Sequence, residues 1–220
     1  MEKAVIFDRL LHPDGWRVVL GLAAGTLALF WLWQPLGWLG LVATIWGLAS
    51  FRDPVRAVPV NLGLVVSPAD GIVAVDSAIP PPELNLGETT LTRLVIEMPV
   101  LGPHVLRAPI AGSLLVEGTA RPFGKTETGQ ALSIEIAEGR FLTLVLTAGP
   151  PAGRVALTSR AGEILRTGQR LGLIRFGGRV ALYLPEGLVA QVASGQTMIA
   201  GETVIALVGQ DSPARAAQRD

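Results

Sequence analysis

Cysteine is absent from this chain, which excludes disulfides, thiolate metal ligands and a cysteine nucleophile without identifying a compartment. Histidine is confined to His12 and His104, and lysine to Lys3 and Lys125, so arginine fills nearly all basic positions. No zinc-ligand spacing, phosphate loop or Ser-His-Asp hydrolase pattern is present, and no metal is expected. Charge is sparse: only 16% of residues are charged, and 18 basic residues balance 18 acidic ones. With no net field, nothing calls for nucleic acid or an acidic polymer as partner.

What the chain has instead is apolar sequence, at 50% of its residues. A mixed-charge lead (residues 1–17) gives way to a stretch from Val18 to Phe51 without one ionisable residue. Gln34-Pro35 divides it into two predicted helices, 18–33 and 36–51. Each falls short of the roughly 20 residues a helix needs to cross the hydrocarbon core. Two readings stay open: a pair of short spanning helices, or a hairpin that enters one leaflet and returns. All five tryptophans (16, 31, 33, 38 and 46) lie in or beside this segment, as suits a membrane interface. Both flanks then lie on one side. Arg9, Arg17, Arg52 and Arg56 predict that this is the cytoplasmic side of the inner membrane.

Residues 52–61, with two prolines, read as a linker. Beyond them, short β-branched runs bounded by Gly and Pro predict strands at 64–67, 71–75, 91–98, 112–117, 131–137, 140–146, 155–158, 170–176, 179–184, 188–192 and 203–208. The expected fold is therefore mainly β (residues 62–209), preceded by an apolar helical hairpin (1–51) and followed by a polar tail (210–220). A repeat runs through it. Residues 67–73 (SPADGIV) echo 108–114 (APIAGSL), and 161–169 echo 193–202. This pairing resembles the two halves of a biotinyl/lipoyl-type barrel-sandwich hybrid. Neither lysine lies in a repeat, so a carrier function is not supported.

Near the C-terminal end, Leu173-Ile174-Arg175-Phe176-Gly177-Gly178-Arg179-Val180 places Gly-Gly between two apolar runs. Locally this reads as a tight hairpin or a bulge. Arg175 and Arg179 flank it as candidates for a lipid phosphate or carboxylate, or as ordinary strand-end cations. Asp70 in Pro-Ala-Asp-Gly has the setting of a turn aspartate, and His104 precedes a strand. Lys125 lies in a Gly-Lys loop, where a solvated lysine is the simplest reading.

Taken together, several stretches resemble the phosphatidylserine decarboxylase family in its short bacterial and archaeal form. They are the apolar hairpin, Phe51-Arg52-Asp53-Pro54, Val66-Ser67-Pro68-Ala69-Asp70-Gly71, His104-Val105-Leu106-Arg107-Ala108-Pro109, the Gly-Gly stretch with its Tyr183-Leu184-Pro185-Glu186-Gly187 continuation, and residues 195–203. The resemblance covers nearly the whole chain in order.

It implies a proenzyme in which a serine after glycine attacks the preceding carbonyl. The ester eliminates and leaves an N-terminal pyruvoyl group, the electron sink for decarboxylation of phosphatidylserine to phosphatidylethanolamine. An Asp–His pair assists the serine, and these positions fall on Asp70 and His104. The serine falls on Gly178, after Gly177 at the cleavage junction, and glycine has neither hydroxyl nor Cβ. Smaller departures are Leu101-Gly102-Pro103 before the histidine, Leu106 where many members have asparagine, and a loop at 123–129 that keeps Gly-Lys but lacks an Asn-Glu-Arg element.

The expectation is a decarboxylase-like membrane protein without its pyruvoyl group, with Arg175, Arg179 and Lys125 as candidate substrate contacts and a homodimer by resemblance. The alternatives are a non-catalytic aminophospholipid-binding or regulatory relative, and a structural membrane adaptor.

Overall fold

A computed structural model describes residues 13–50, 56–59, 63–124, 127–137, 139–149 and 153–208 of the chain. Two antiparallel helices, α1 (Pro13–Leu32) and α2 (Gln34–Ser50), come first. Trp33 alone separates them, and Pro35 sits in the first turn of α2, where a missing N–H costs nothing. Their approach is close because the facing positions of α2 are glycines. A Cβ on Gly37 would lie 2.2 Å from Phe30 Cδ1, and one on Gly40 would lie 2.9 Å from Thr26 Oγ1. The Thr26 and Thr44 hydroxyls are hydrogen-bonded across the pair at 2.9 Å.

The remainder is β structure. The strands are β1 (Leu64–Val66), β2 (Gly71–Ala78), β3 (Leu91–Met98), β4 (Val105–Arg107), β5 (Gly112–Ala120), β6 (Gly129–Ala137) and β7 (Arg140–Ala148), then β8 (Arg154–Leu157), β9 (Ile164–Leu165), β10 (Arg170–Arg175), β11 (Gly178–Tyr183), β12 (Thr197–Met198) and β13 (Val204–Leu207). They form an eight-stranded sheet in the order β12-β2-β3-β11-β7-β6-β5-β9, a three-stranded sheet β4-β10-β8 and the pair β1-β13. The strand β11 lies inside the large sheet between β3 and β7. Its burial on both faces explains its apolar run. Val180 and Leu182 enter the main core with Leu142, Leu144 and Leu146. Ala181 and Tyr183 enter a second cluster with Leu84, Leu91 and Val145 on the opposite face.

The sequence repeat is a structural repeat. Gly195 N–H donates to Val73 O at 2.7 Å, as Gly162 N–H donates to Leu114 O at 2.7 Å. Gly201 N–H donates to Ser67 O, as Gly168 N–H donates to Ala108 O, both at 2.8 Å. The halves are crossed by Val66 N–H to Pro109 O and Arg107 N–H to Pro68 O, again both 2.8 Å. Gly71 and Gly112 hold equivalent places: a Cβ would fall 2.1 Å from Glu97 O in one case and 2.2 Å from Glu135 O in the other. Only glycine admits that approach of strand to strand.

Two expectations need correction. Residues 188–192 form no strand; Gln191 N–H donates to Ile205 O (2.9 Å), and Pro185 and Gly187 begin an irregular segment. The Gly-Gly stretch is not a hairpin, because β10 pairs with β4 and β8 whereas β11 pairs with β3 and β7. Phe176 (φ +64°) and Gly177 (φ +78°) turn the chain from one sheet to the other. Among the described residues no helix is long and apolar enough to cross a membrane.

Candidate functional site

The crossover at residues 175–178 is held from two sides. From the helices, the Trp46 indole stacks on the Phe176 ring with centroids 5.7 Å apart and planes at 14°. Val19, with Trp16 and Val18, packs on Leu173 and Ala156. From the large sheet, Gly178 opposes Met98 on β3 and Ala148 on β7. Phe176 is a bulky residue in the left-handed region, a conformation that costs about 1–2 kcal/mol. Its stacking against Trp46 helps to offset that cost.

At the centre is the Gly177 carbonyl, the group that the resemblance assigns as the target of self-cleavage. It accepts a hydrogen bond from Gly149 N–H at 3.0 Å, which draws electron density from the carbonyl. The residue placed to attack it is Gly178. A Cβ built there would lie 2.3 Å from Thr147 O and 3.2 Å from Ala148 Cα, against backbone that cannot rotate away. A Cβ on Gly177 would meet Met98 O at 2.9 Å. The crossover therefore polarises a carbonyl and leaves no room for a Cβ on the residue that follows it.

His104 lies next to this crossover and is buried, with 1% of its surface exposed. Its carbonyl accepts from Ile174 N–H (3.0 Å). Its ring Nε2 pairs with Pro99 O (3.2 Å), in the segment that borders Gly177. That bond makes Nε2 the protonated nitrogen of a neutral imidazole, and leaves Nδ1 as an acceptor. Nδ1 is buried without a partner. Burial lowers the histidine pKa, outweighing the Pro99 carbonyl, and so favours the neutral ring. A neutral imidazole with a free acceptor nitrogen is a competent base, here without a proton to take.

Asp70 is elsewhere. Its carboxylate pairs with Arg56 at 2.7 Å, both side chains being 15% exposed. Burial raises its pKa, opposed by Arg56, the Ala200 backbone amide and Arg107. Asp70 and His104 share no hydrogen bond among the described residues. Asp70 instead ties the segment 56–59 to the body. There Ala57 N–H also donates to Glu202 Oε1 (3.0 Å), and Val58 covers Gly168.

The two flanking arginines have separate surroundings. Arg179 is ion-paired with Glu127 and lies over the Phe123 ring, its guanidinium carbon 4.3 Å from the centroid. Arg93 approaches the same ring and is held by Asp76. Arg179 is thus ion-paired within the chain, whereas Arg175 pairs with no acid among the described residues. Lys125 lies outside the described residues. Sequence reasoning missed Gly149, Thr147 and the Arg56 contact. A backbone N–H and a backbone carbonyl leave no side-chain signal, and Arg56 stood out only as one of several positive flanks.

A family model described as phosphatidylserine decarboxylase matches residues 44–206. The phosphatidylserine decarboxylase proenzyme of Ruegeria pomeroyi is 44% identical over 94% of this chain and 99% of its own length. The proenzymes of that name from Cereibacter sphaeroides and Beijerinckia indica are each 42% identical, over 91% and 92% of this chain and 90% and 91% of their own. No solved structure matches. A match across most of the chain, with curated relatives covered almost end to end, shows that the chain belongs to the phosphatidylserine decarboxylase family.

Proposed function

We propose that this chain is a phosphatidylserine decarboxylase-like protein of a membrane surface that forms no pyruvoyl group and does not decarboxylate. One observation carries the reading: Gly178 follows the polarised Gly177 carbonyl where the family resemblance requires serine. The family's group is built from a hydroxyl that attacks and a Cβ that survives as part of the pyruvoyl unit. Glycine supplies neither, and the space a Cβ needs is taken by Thr147 O. The residues present do not fit the cofactor. Asp70 and His104 are then retained positions of a site whose nucleophile is missing.

The membrane reading rests on the helical pair. Trp31 is 92% exposed, Leu27 72% and Leu32 73%, in a segment with no charge to make such exposure favourable in water. A hairpin entering one leaflet and returning fits helices too short to cross. The organisation that follows is a membrane-associated hairpin (1–51), a linker (52–61), a β domain (62–209) and a tail (210–220). The arginine flanks favour a domain on the cytoplasmic face of the inner membrane, and the family resemblance favours phosphatidylserine or phosphatidylethanolamine as partner and a homodimer as the assembly.

The test uses the purified full chain and vesicles containing phosphatidylserine. No carbon dioxide release, and no carbonyl captured by hydrazine reagents, is the expected result. Decarboxylation above that of protein-free vesicles contradicts it. Retained binding to those vesicles separates a lipid-binding relative from an adaptor that serves only assembly.

A further inference from the structure

The strands β8 and β10 run antiparallel with Leu173 opposite Ala156 and Arg175 opposite Arg154. Side chains two residues apart on a strand share a face, so both arginines project from the face that carries Leu173 and Ala156. That is the face on which Trp16, Val18 and Val19 of α1 pack. The next residue after Arg175 is Phe176, under the Trp46 ring of α2. Two arginines therefore stand directly opposite each other at the foot of the helical pair.

Like charges in directly opposed positions are destabilising unless something neutralises them. Nothing in the chain does so among the described residues. The carboxylates that form ion pairs, those of Asp70, Asp76, Glu83 and Glu127, hold Arg56, Arg93, Arg121 and Arg179. Arg175 Nε is buried and lacks any hydrogen-bond partner. A guanidinium with a buried, unsatisfied N–H, facing a second guanidinium, is a site for an oxyanion taken in bidentate fashion.

Position selects the source of that anion. From Val19, at the β domain, to Trp33, at the tip of the hairpin, α1 rises about 21 Å at 1.5 Å per residue. A hydrocarbon leaflet is about 15 Å deep, half of a core of about 30 Å. If the tip is embedded to that depth, the foot of the helices stands at the headgroup layer. We propose that Arg154 and Arg175 bind the phosphate of a membrane phospholipid headgroup at the junction of the helical pair and the β domain. This inference rests on the membrane reading of the hairpin given above.

Vesicle co-sedimentation of the full chain tests it, with phosphatidylcholine vesicles and with vesicles also containing phosphatidylglycerol, for the parent and for Arg154→Gln/Arg175→Gln. The parent is expected to prefer the anionic vesicles by about tenfold or more over the double variant, from roughly 1 kcal/mol per arginine near an anionic surface. Binding to neutral vesicles, whose headgroup phosphate is already neighboured by a choline cation, is expected to fall by less between the two. Removing one of the opposed charges in Arg154→Gln should also raise the thermal midpoint of the lipid-free protein, a gain that a purely structural cation would not give.

Arg154→Lys/Arg175→Lys keeps the charge but not the bidentate fork and is expected to fall between the parent and the glutamine variant, which guards against a folding artefact in the latter. An unchanged anionic preference in the glutamine variant overturns the site while leaving the membrane reading intact. Failure of the parent to bind either vesicle overturns the membrane reading, and this inference with it. Stabilisation of the parent, but not the variant, by inorganic phosphate without any vesicle preference assigns the site to free phosphate and overturns the lipid assignment.

Discussion

His104 and Asp70 are displaced in opposite directions by the same cause, burial, and this gives each a distinct pH signature. Burial holds the histidine below its ordinary value of 6.5. On acidification the unfolded chain therefore takes up that proton before the folded one. Stability from this group is whole above pH 6.5 and falls as the pH drops through the interval below it. His104→Gln, which keeps a donor for Pro99 O, is expected to flatten the decline of the thermal midpoint below pH 6.5. An unchanged profile contradicts the buried neutral ring. Asp70 has the reverse sign: its folded value lies above 3.8, so its contribution is lost as pH rises through that raised value. Its ion pair with Arg56 is part-buried, and Arg56→Gln leaves the carboxylate without its nearest cation. That change is expected to cost about 1–3 kcal/mol, less than the 3–5 of a fully buried pair. Adding Asp70→Asn should recover part of the loss, read as a coupling in a double-mutant cycle.

Among the elements, the crossover between β10 and β11 depends on the helices more than on its own sequence. Phe176 keeps a left-handed conformation under Trp46, and a side chain there has no local reason to do so. Trp46→Ala is expected to lower stability by about 1–3 kcal/mol in urea unfolding, with increased amide exchange at Gly177 and Gly178. Protection unchanged at those amides contradicts the coupling. Gly178→Ser restores the hydroxyl but drives a Cβ toward Thr147 O, so its thermal midpoint should fall below that of the parent. A midpoint equal or higher means the strand has room that the geometry denies.

The same region shows what sequence could and could not convey. Strands such as β3 and β7 were legible because each carries an apolar run bounded by turn residues, and the repeat was legible because its Gly and Pro recur at equal spacing. The pairing of β10 and β11 was not. Gly-Gly between apolar runs permits a hairpin and a sheet crossover equally, and the choice is made by β3, β4, β7 and β8, distant in sequence. The short strands β9 and β12 escaped notice because two residues have no period. Asp70 and His104 were found by motif, but their separate partners, Arg56 and Pro99, are set by tertiary placement alone.

The whole molecule joins an exposed apolar helical pair to a β domain through contacts at the very turn where the family's cofactor would arise. The Gly177 carbonyl is polarised by Gly149 N–H and a neutral histidine lies nearby, so on the reading proposed above the missing part is the nucleophile. That loss has a direct physical readout, independent of lipid, assay or substrate: the covalent continuity of the chain. Intact mass spectrometry of the full-length protein extracted from membranes is the measurement to make. The account predicts one species at the mass of the unbroken chain. Two fragments divided between Gly177 and Gly178 would contradict it, since cleavage there requires a route that uses no serine hydroxyl.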